Sequence, residues 1–121
     1  MARILIVDDS PTDTHVLKTM LEKNGYDTLS VVDGEQGIAT AKMEKPDLIL
    51  MDVVLPGISG FQATRQITKS PETSTIPVII VTTKDQETDR VWGLRQGAKD
   101  YITKPVSEAD LIGKIKAALG S

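Results

Sequence analysis

Acidic residues stand where apolar runs stop. "RILIV" (3–7) runs into Asp8 and Asp9, and "DLILM" (47–51) runs into Asp52, which is followed by the turn signal Leu55-Pro56-Gly57. A carboxylate at the mouth of a buried strand must be paired, neutralised or used. Further along, "VIIVT" (78–82) ends in Thr82 with Thr83 next, and "DYIT" (100–103) is followed by Lys104-Pro105. Gathered on one rim, these residues would place three carboxylates, a hydroxyl and an ammonium together. Two carboxylates about 4 Å apart repel by roughly 4 kcal/mol at an effective dielectric near 20, so such a rim invites a divalent cation. With oxygen donors alone and no His or Cys among them, Mg²⁺ is the expected ion. An Asp carboxylate can then act as a nucleophile in phosphoryl transfer, while the hydroxyl and the ammonium hold the oxygens of the transferred group.

Each residue also has a plain structural role open to it. Asp9 or Ser10 before Pro11 could be a helix N-cap with proline in the first turn. Asp52 before Pro56-Gly57 could be a turn residue. Thr82 could be an ordinary β-branched strand residue and Lys104 a solvated lysine. What favours chemistry is their joint placement at successive strand ends.

The elements that must position them follow from hydrophobic patterning. Strands are expected at 3–7, 27–31, 47–51, 78–82 and 100–103, the first, third and fourth apolar enough to be central and the second and fifth at or near edges. Between them lie amphipathic stretches. Residues 12–24 carry Val16, Leu17, Met20 and Leu21 on one expected core face and stop at Asn24-Gly25. Residues 35–44 carry Ile38, Ala39 and Ala41, and residues 58–69 carry Phe61 and Ile67. A fourth helix over 86–96 is expected to turn Val91 and Leu94 inward, with Trp92 on another face, either meeting a partner or packing beside Tyr101. The last, 107–119, opens with Ser107-Glu108-Ala109-Asp110 and repeats Leu111, Ile112, Ile115, Ala118 and Leu119 at helical period. Strict β-α alternation implies a three-layer α/β (βα)5 sandwich around a five-stranded parallel sheet with right-handed crossovers. Ligands of such sheets bind beyond the carboxyl ends of the strands, where the acids lie.

Composition narrows the function. At 121 residues, 1–121 reads as one domain, and with 3% aromatics its core must be aliphatic. The absence of cysteine excludes disulfides and thiolate chemistry. A net charge of -3 argues against direct nucleic-acid binding. "MARILIVDD" reaches two acids after four apolar residues, too soon for a signal peptide or membrane anchor, so a cytoplasmic location without membrane insertion is expected. His15, the only histidine, has no companion ligand and reads as a solvated helix residue.

"ILIVDDS", "LILMDVVLPGISGF", "VIIVTT" and "GAKDYITKP", in this order and spacing, resemble the receiver domain of two-component response regulators, the CheY-like fold. The resemblance covers essentially the whole chain. It implies strand order 2-1-3-4-5, Asp52 as the phosphoacceptor that becomes 4-aspartylphosphate, and Asp8, Asp9, Asp52 and the backbone carbonyl of Val54 as the Mg²⁺ set, with Asp9 the more direct ligand. It further implies Thr82 as the switch hydroxyl, Lys104 as the partner of the phosphoryl group, a cis Lys104-Pro105 bond and Tyr101 as the aromatic switch residue. A histidine kinase would be the phosphodonor, and the face of the fourth helix, fifth strand and fifth helix would bind a downstream protein. Residues 61–106 are similar to stand-alone receivers of the type IV pilus twitching system, which implies chemotaxis-like control of motility. With no output domain expected after Leu119-Gly120-Ser121, the chain would act by binding a partner or by draining phosphoryl groups from a shared kinase.

Two positions depart from the chemotaxis pattern. Val54 stands where an amide is usual and Lys84 where an acid is usual, both linked to placing the hydrolytic water, so slow self-dephosphorylation is expected. Rival chemistries fit less well. An Asp-nucleophile phosphatase of the haloacid dehalogenase type would want a second Asp at position 54. A flavodoxin-like carrier would want a Ser-, Thr- and Gly-rich first loop where Asp8-Asp9 would repel phosphate. A constitutive receiver would not need the five intact site residues.

Overall fold

The computed structural model describes residues 1–120. Its strands are β1 (Arg3–Val7), β2 (Asp27–Val31), β3 (Leu48–Met51), β4 (Val78–Thr82) and β5 (Asp100–Thr103). Its helices are α1 (Pro11–Lys23), α2 (Gly34–Glu44), α3 (Gly60–Lys69), α4 (Glu87–Arg95) and α5 (Glu108–Leu119), within two residues of the limits expected from patterning. All neighbouring strands are parallel, in the order β2-β1-β3-β4-β5. None of the helices among the described residues is long and apolar enough to cross a membrane.

Why the continuous apolar runs need burial on both sides is visible in the two core layers. Ile4, Ile6, Leu48, Leu50, Ile79 and Val81 point to one face and pack with Leu17 and Leu21 of α1 and Leu111, Ile112 and Ile115 of α5. Their sequence neighbours Leu5, Val7, Ile49, Met51 and Val78 point the other way, against Ala41 of α2 and Ala63 and Ile67 of α3. The period of two along each strand thus divides one apolar run between two layers. A smaller cluster of Val53, Ile80, Ala98 and Tyr101, with Phe61 against it, lies beside α3 and α4.

Helix starts are set by side-chain caps. Ser10, Asp33, Ser59 and Ser107 each accept a hydrogen bond from the backbone N–H three residues on. Each such cap is worth about 1 kcal/mol. Ser10 rather than Asp9 caps α1, which leaves both acids after β1 without a capping duty.

Two helices differ from the patterning. Val16 on α1 is exposed, and Val91 and Leu94 on α4 are 42% and 45% exposed rather than inward. On α4 the buried positions are Gly93 and, just past the helix, Gln96. A methyl group on Gly93 would lie 2.7 Å from Ile80 Cδ1 and 3.1 Å from the Tyr101 ring, so the helix rests on its glycine and its apolar residues turn to solvent. The inference from apolar to buried fails here because close approach, not side-chain area, seats the helix. Trp92 is half-exposed, and the group stacked on Tyr101 is Arg90, 5.3 Å from the ring centroid.

Among the described residues, one buried side-chain polar group is unsatisfied. Thr64 on α3 is fully buried and its hydroxyl has no hydrogen-bond partner. Leaving such a group unpaired costs about 1–3 kcal/mol. Thr64→Val is therefore expected to raise stability by about 1 kcal/mol, seen as a higher urea midpoint at unchanged slope; a lower midpoint would show that the hydroxyl is used.

Candidate functional site

The sheet register brings the expected residues to one rim. Val7 pairs with Met51, so Asp8 and Asp52 emerge side by side, and the Asp52 N–H donates to the Val7 carbonyl at 3.0 Å. Thr82 pairs with Thr103, and the Lys104 N–H donates to the Thr82 carbonyl at 2.8 Å, which sets Lys104 just past the ladder. One carboxylate oxygen each from Asp8, Asp9 and Asp52 lies within 4.8 Å of the others, a group able to hold a metal ion. The Lys104–Pro105 bond is cis.

Burial makes the charges interdependent. Asp8 is 2% exposed and Asp52 7%, whereas Asp9 opens to solvent. Asp8 Oδ1 accepts from the Ser10 N–H at 2.9 Å, and Asp52 Oδ1 accepts from the N–H groups of Val53 and Val54 at 2.6 and 3.3 Å. The turn reading of Asp52 therefore accounts for one of its oxygens. The other oxygens meet Lys104, whose ammonium donates to Asp8 Oδ2 at 2.8 Å and to Asp52 Oδ2 at 2.9 Å. Burial pushes the Asp8 carboxyl above the usual range, with the bonds from Lys104 and Ser10 offsetting only part of that shift. Burial pulls the Lys104 ammonium down, but its bonds to Asp13, Asp8 and Asp52 more than reverse this and leave it raised. Lys104 is charged at any physiological pH.

Thr82 and Tyr101 form a second arrangement, separate from the acids. Thr82 is fully buried and its Oγ1 accepts from the Lys84 N–H at 3.4 Å; it makes no bond to a site carboxylate. The Tyr101 hydroxyl donates to the Lys84 carbonyl at 2.8 Å, so one residue's backbone lies between the two side chains. Burial pushes the Tyr101 phenol up to about 12. Val54 is 56% exposed beside Asp52.

The profile of the response regulator receiver domain matches residues 4–116. The chain belongs to this family. It is 65% identical to the protein PilH of Pseudomonas aeruginosa over 98% of each chain. The CheY-like response regulator receiver domain protein of Methanospirillum hungatei superposes with a TM-score of 0.91 at 33% identity, covering 99% of this chain and 94% of that one. The receiver domain of a sensor histidine kinase from Pseudomonas aeruginosa PAO1, solved with a magnesium ion coordinated in its active site cleft, has the same TM-score at 35% identity, covering 99% and 98% of the two chains.

Two residues of this receiver's site escape sequence patterning. Asp13, in the first turn of α1, is the third partner of Lys104, at 2.8 Å. An acid in a first helical turn is ordinarily read as a partner of the helix dipole, and nothing in its spacing points to residue 104. Gly60 opens α3, and its N–H donates to the Val53 carbonyl at 2.9 Å. A Cβ there would fall 1.8 Å from the carbonyl oxygen of Asp52 and 2.8 Å from Val53 Cα. The second glycine of "PGISG" could have signalled such a close approach. Because the clash is with backbone, Gly60→Ala is expected to cost the receiver at least about 2 kcal/mol in chemical denaturation; a midpoint within error of wild type would show that the strand end has slack.

Proposed function

We propose that this receiver accepts a phosphoryl group on Asp52 from a histidine kinase and relays the change to a protein partner. What supports this most is the meeting of Asp52 with Asp8, Asp9 and the Lys104 ammonium at the sheet's carboxyl edge. An Asp52 Oδ would attack phosphorus, the P–O bond forming as the P–N bond to the kinase imidazole breaks. The electron pair stays on the ring nitrogen, which ends as neutral imidazole after taking a solvent proton. Lys104, already within hydrogen-bond distance of Asp52, is placed to bond the arriving phosphoryl oxygens.

The donor set fits Mg²⁺: hard carboxylate oxygens, one residue facing water and no softer ligand. Asp8, Asp9, Asp52 and the Val54 carbonyl would hold it, with Asp9, exposed and free of the Lys104 contact, the more direct ligand. When bound, the ion supplies counter-charge for the transferred group.

Thr82 and Tyr101 are the switch pair in this reading. Drawing the Thr82 hydroxyl toward a phosphoryl oxygen would loosen its contact with Lys84, whose carbonyl also holds Tyr101. The affected face comprises α4, β5 and α5, where Val91, Trp92 and Leu94 stand exposed. We read residues 1–121 as a single receiver unit working in the cytoplasm, with a protein target rather than nucleic acid and with no chemistry beyond gain and loss of its own phosphoryl group. The 65% identity to PilH and the resemblance of residues 61–106 to pilus-twitching receivers favour control of type IV pilus motility.

A phosphate sink would need a short phosphoryl lifetime. Val54 and Lys84 offer neither the amide nor the acid that would orient water, which favours the partner-binding role. Incubation with acetyl phosphate and Mg²⁺ followed by intact mass should add one phosphoryl group to wild type and none to Asp52→Asn; no adduct on wild type, or an equal one on the variant, would sink the phosphoacceptor reading. The Val54→Asn, Lys84→Glu double variant should lose its phosphoryl group about tenfold faster than the parent or more, followed as decay of the phosphorylated mass after donor removal. Equal decay would remove the argument against a sink.

A further inference from the structure

Lys104 has three N–H bonds and gives one to each of three carboxylates, on Asp8, Asp13 and Asp52, at 2.8, 2.8 and 2.9 Å. Asp8 and Asp52 belong to the trio able to hold a cation, but Asp13 does not. It comes from α1, and its own N–H donates to the Ser10 cap, so its position is set by the start of that helix. Stabilising the helix terminus would explain an acid at this position. It would not require the carboxylate to reach a residue 91 positions away.

The pairs differ in setting. The Asp8 and Asp52 side chains are 2% and 9% exposed, whereas that of Asp13 is 42% exposed, at the outer edge of the site. Asp13 and Lys104, with Val16, Leu17, Pro105 and Val106, line a largely apolar cavity of about 180 Å³. On phosphorylation Asp52 loses its carboxylate charge, and new anionic oxygens stand beyond it. Lys104 must then turn outward from the Asp52 oxygen to follow them. Of its three partners, only Asp13 neither changes chemically nor belongs to the metal-capable trio.

We propose that Asp13 is a positioning residue: it anchors the Lys104 ammonium at the mouth of the site before and after phosphorylation, leaving the other two N–H bonds to exchange Asp52 for the phosphoryl oxygens. The assignment rests on the reading of Asp52 as phosphoacceptor. A second effect of Asp13 has the opposite sign. As a bare negative charge it would repel an anionic donor, so deleting it would speed phosphorylation whatever stands at position 104.

These effects separate in a double-mutant cycle read by intact mass with acetyl phosphate and Mg²⁺. Asp13→Asn should slow phosphorylation at saturating donor about tenfold, in the range seen when an orienting partner of a site group is lost. Asp13→Glu should recover most of the rate, and Asp13→Asn should have no further effect on top of Lys104→Ala. An unchanged or faster rate in Asp13→Asn, or equal slowing in the Lys104→Ala background, overturns the assignment. A wild type that takes up no phosphate would instead sink the phosphoacceptor reading. The anchor is then decided by the Lys104 ammonium ¹⁵N–¹H resonance: faster proton exchange with water in Asp13→Asn supports it, and unchanged exchange overturns it.

Discussion

Like charges at the end of a buried sheet need compensation, and in this protein one lysine supplies it. Without Lys104, Asp8 and Asp52 would stand as neighbouring, almost fully buried carboxylates. With it, each has a charge-assisted hydrogen bond below 3 Å. Removing one partner of a buried pair costs more than the pair contributes, because the remaining charge is stranded. The ammonium delivered by the chain beyond β5 thus offsets both acids and ties residues 8, 52 and 104 into one electrostatic unit. A cation arriving at the same carboxylates would compete with that ammonium, so metal and lysine must share the oxygens between them.

The fold serves this unit by keeping its members close to the hydrogen-bond ladder. Asp8 and Asp52 each follow directly on a paired strand residue, and Lys104 is held through its own N–H to the Thr82 carbonyl. Gly60 allows the first turn of α3 to lie against the Asp52 carbonyl, closing off room for the strand end to shift. Such constraint suits phosphoryl transfer, in which placement and fixed charge do most of the work.

Much of this could be read from the residue order. Apolar runs of four or five residues marked the strands because a strand covered on both faces needs no polar alternation, and the acids, hydroxyl and lysine at their ends marked the rim. The position of the ammonium was legible for the same reason. What patterning could not supply was contact across the chain. Asp13 looks like any first-turn acid until the fold sets it against Lys104. Val91 and Leu94 look like core residues until Gly93 is seen against Ile80. In both cases the deciding fact is a distance between elements far apart in sequence, which local periodicity does not encode.

The seating of α4 on a glycine has an evolutionary consequence. Its outward residues Val91, Trp92 and Leu94 contribute little to the core, so they can be exchanged without disturbing the sheet or the acids behind it. Inward, by contrast, even a methyl group at position 93 would press on Ile80 Cδ1 and the Tyr101 ring. Sequence can therefore drift on one face of one helix while the acids and the lysine behind it keep their arrangement.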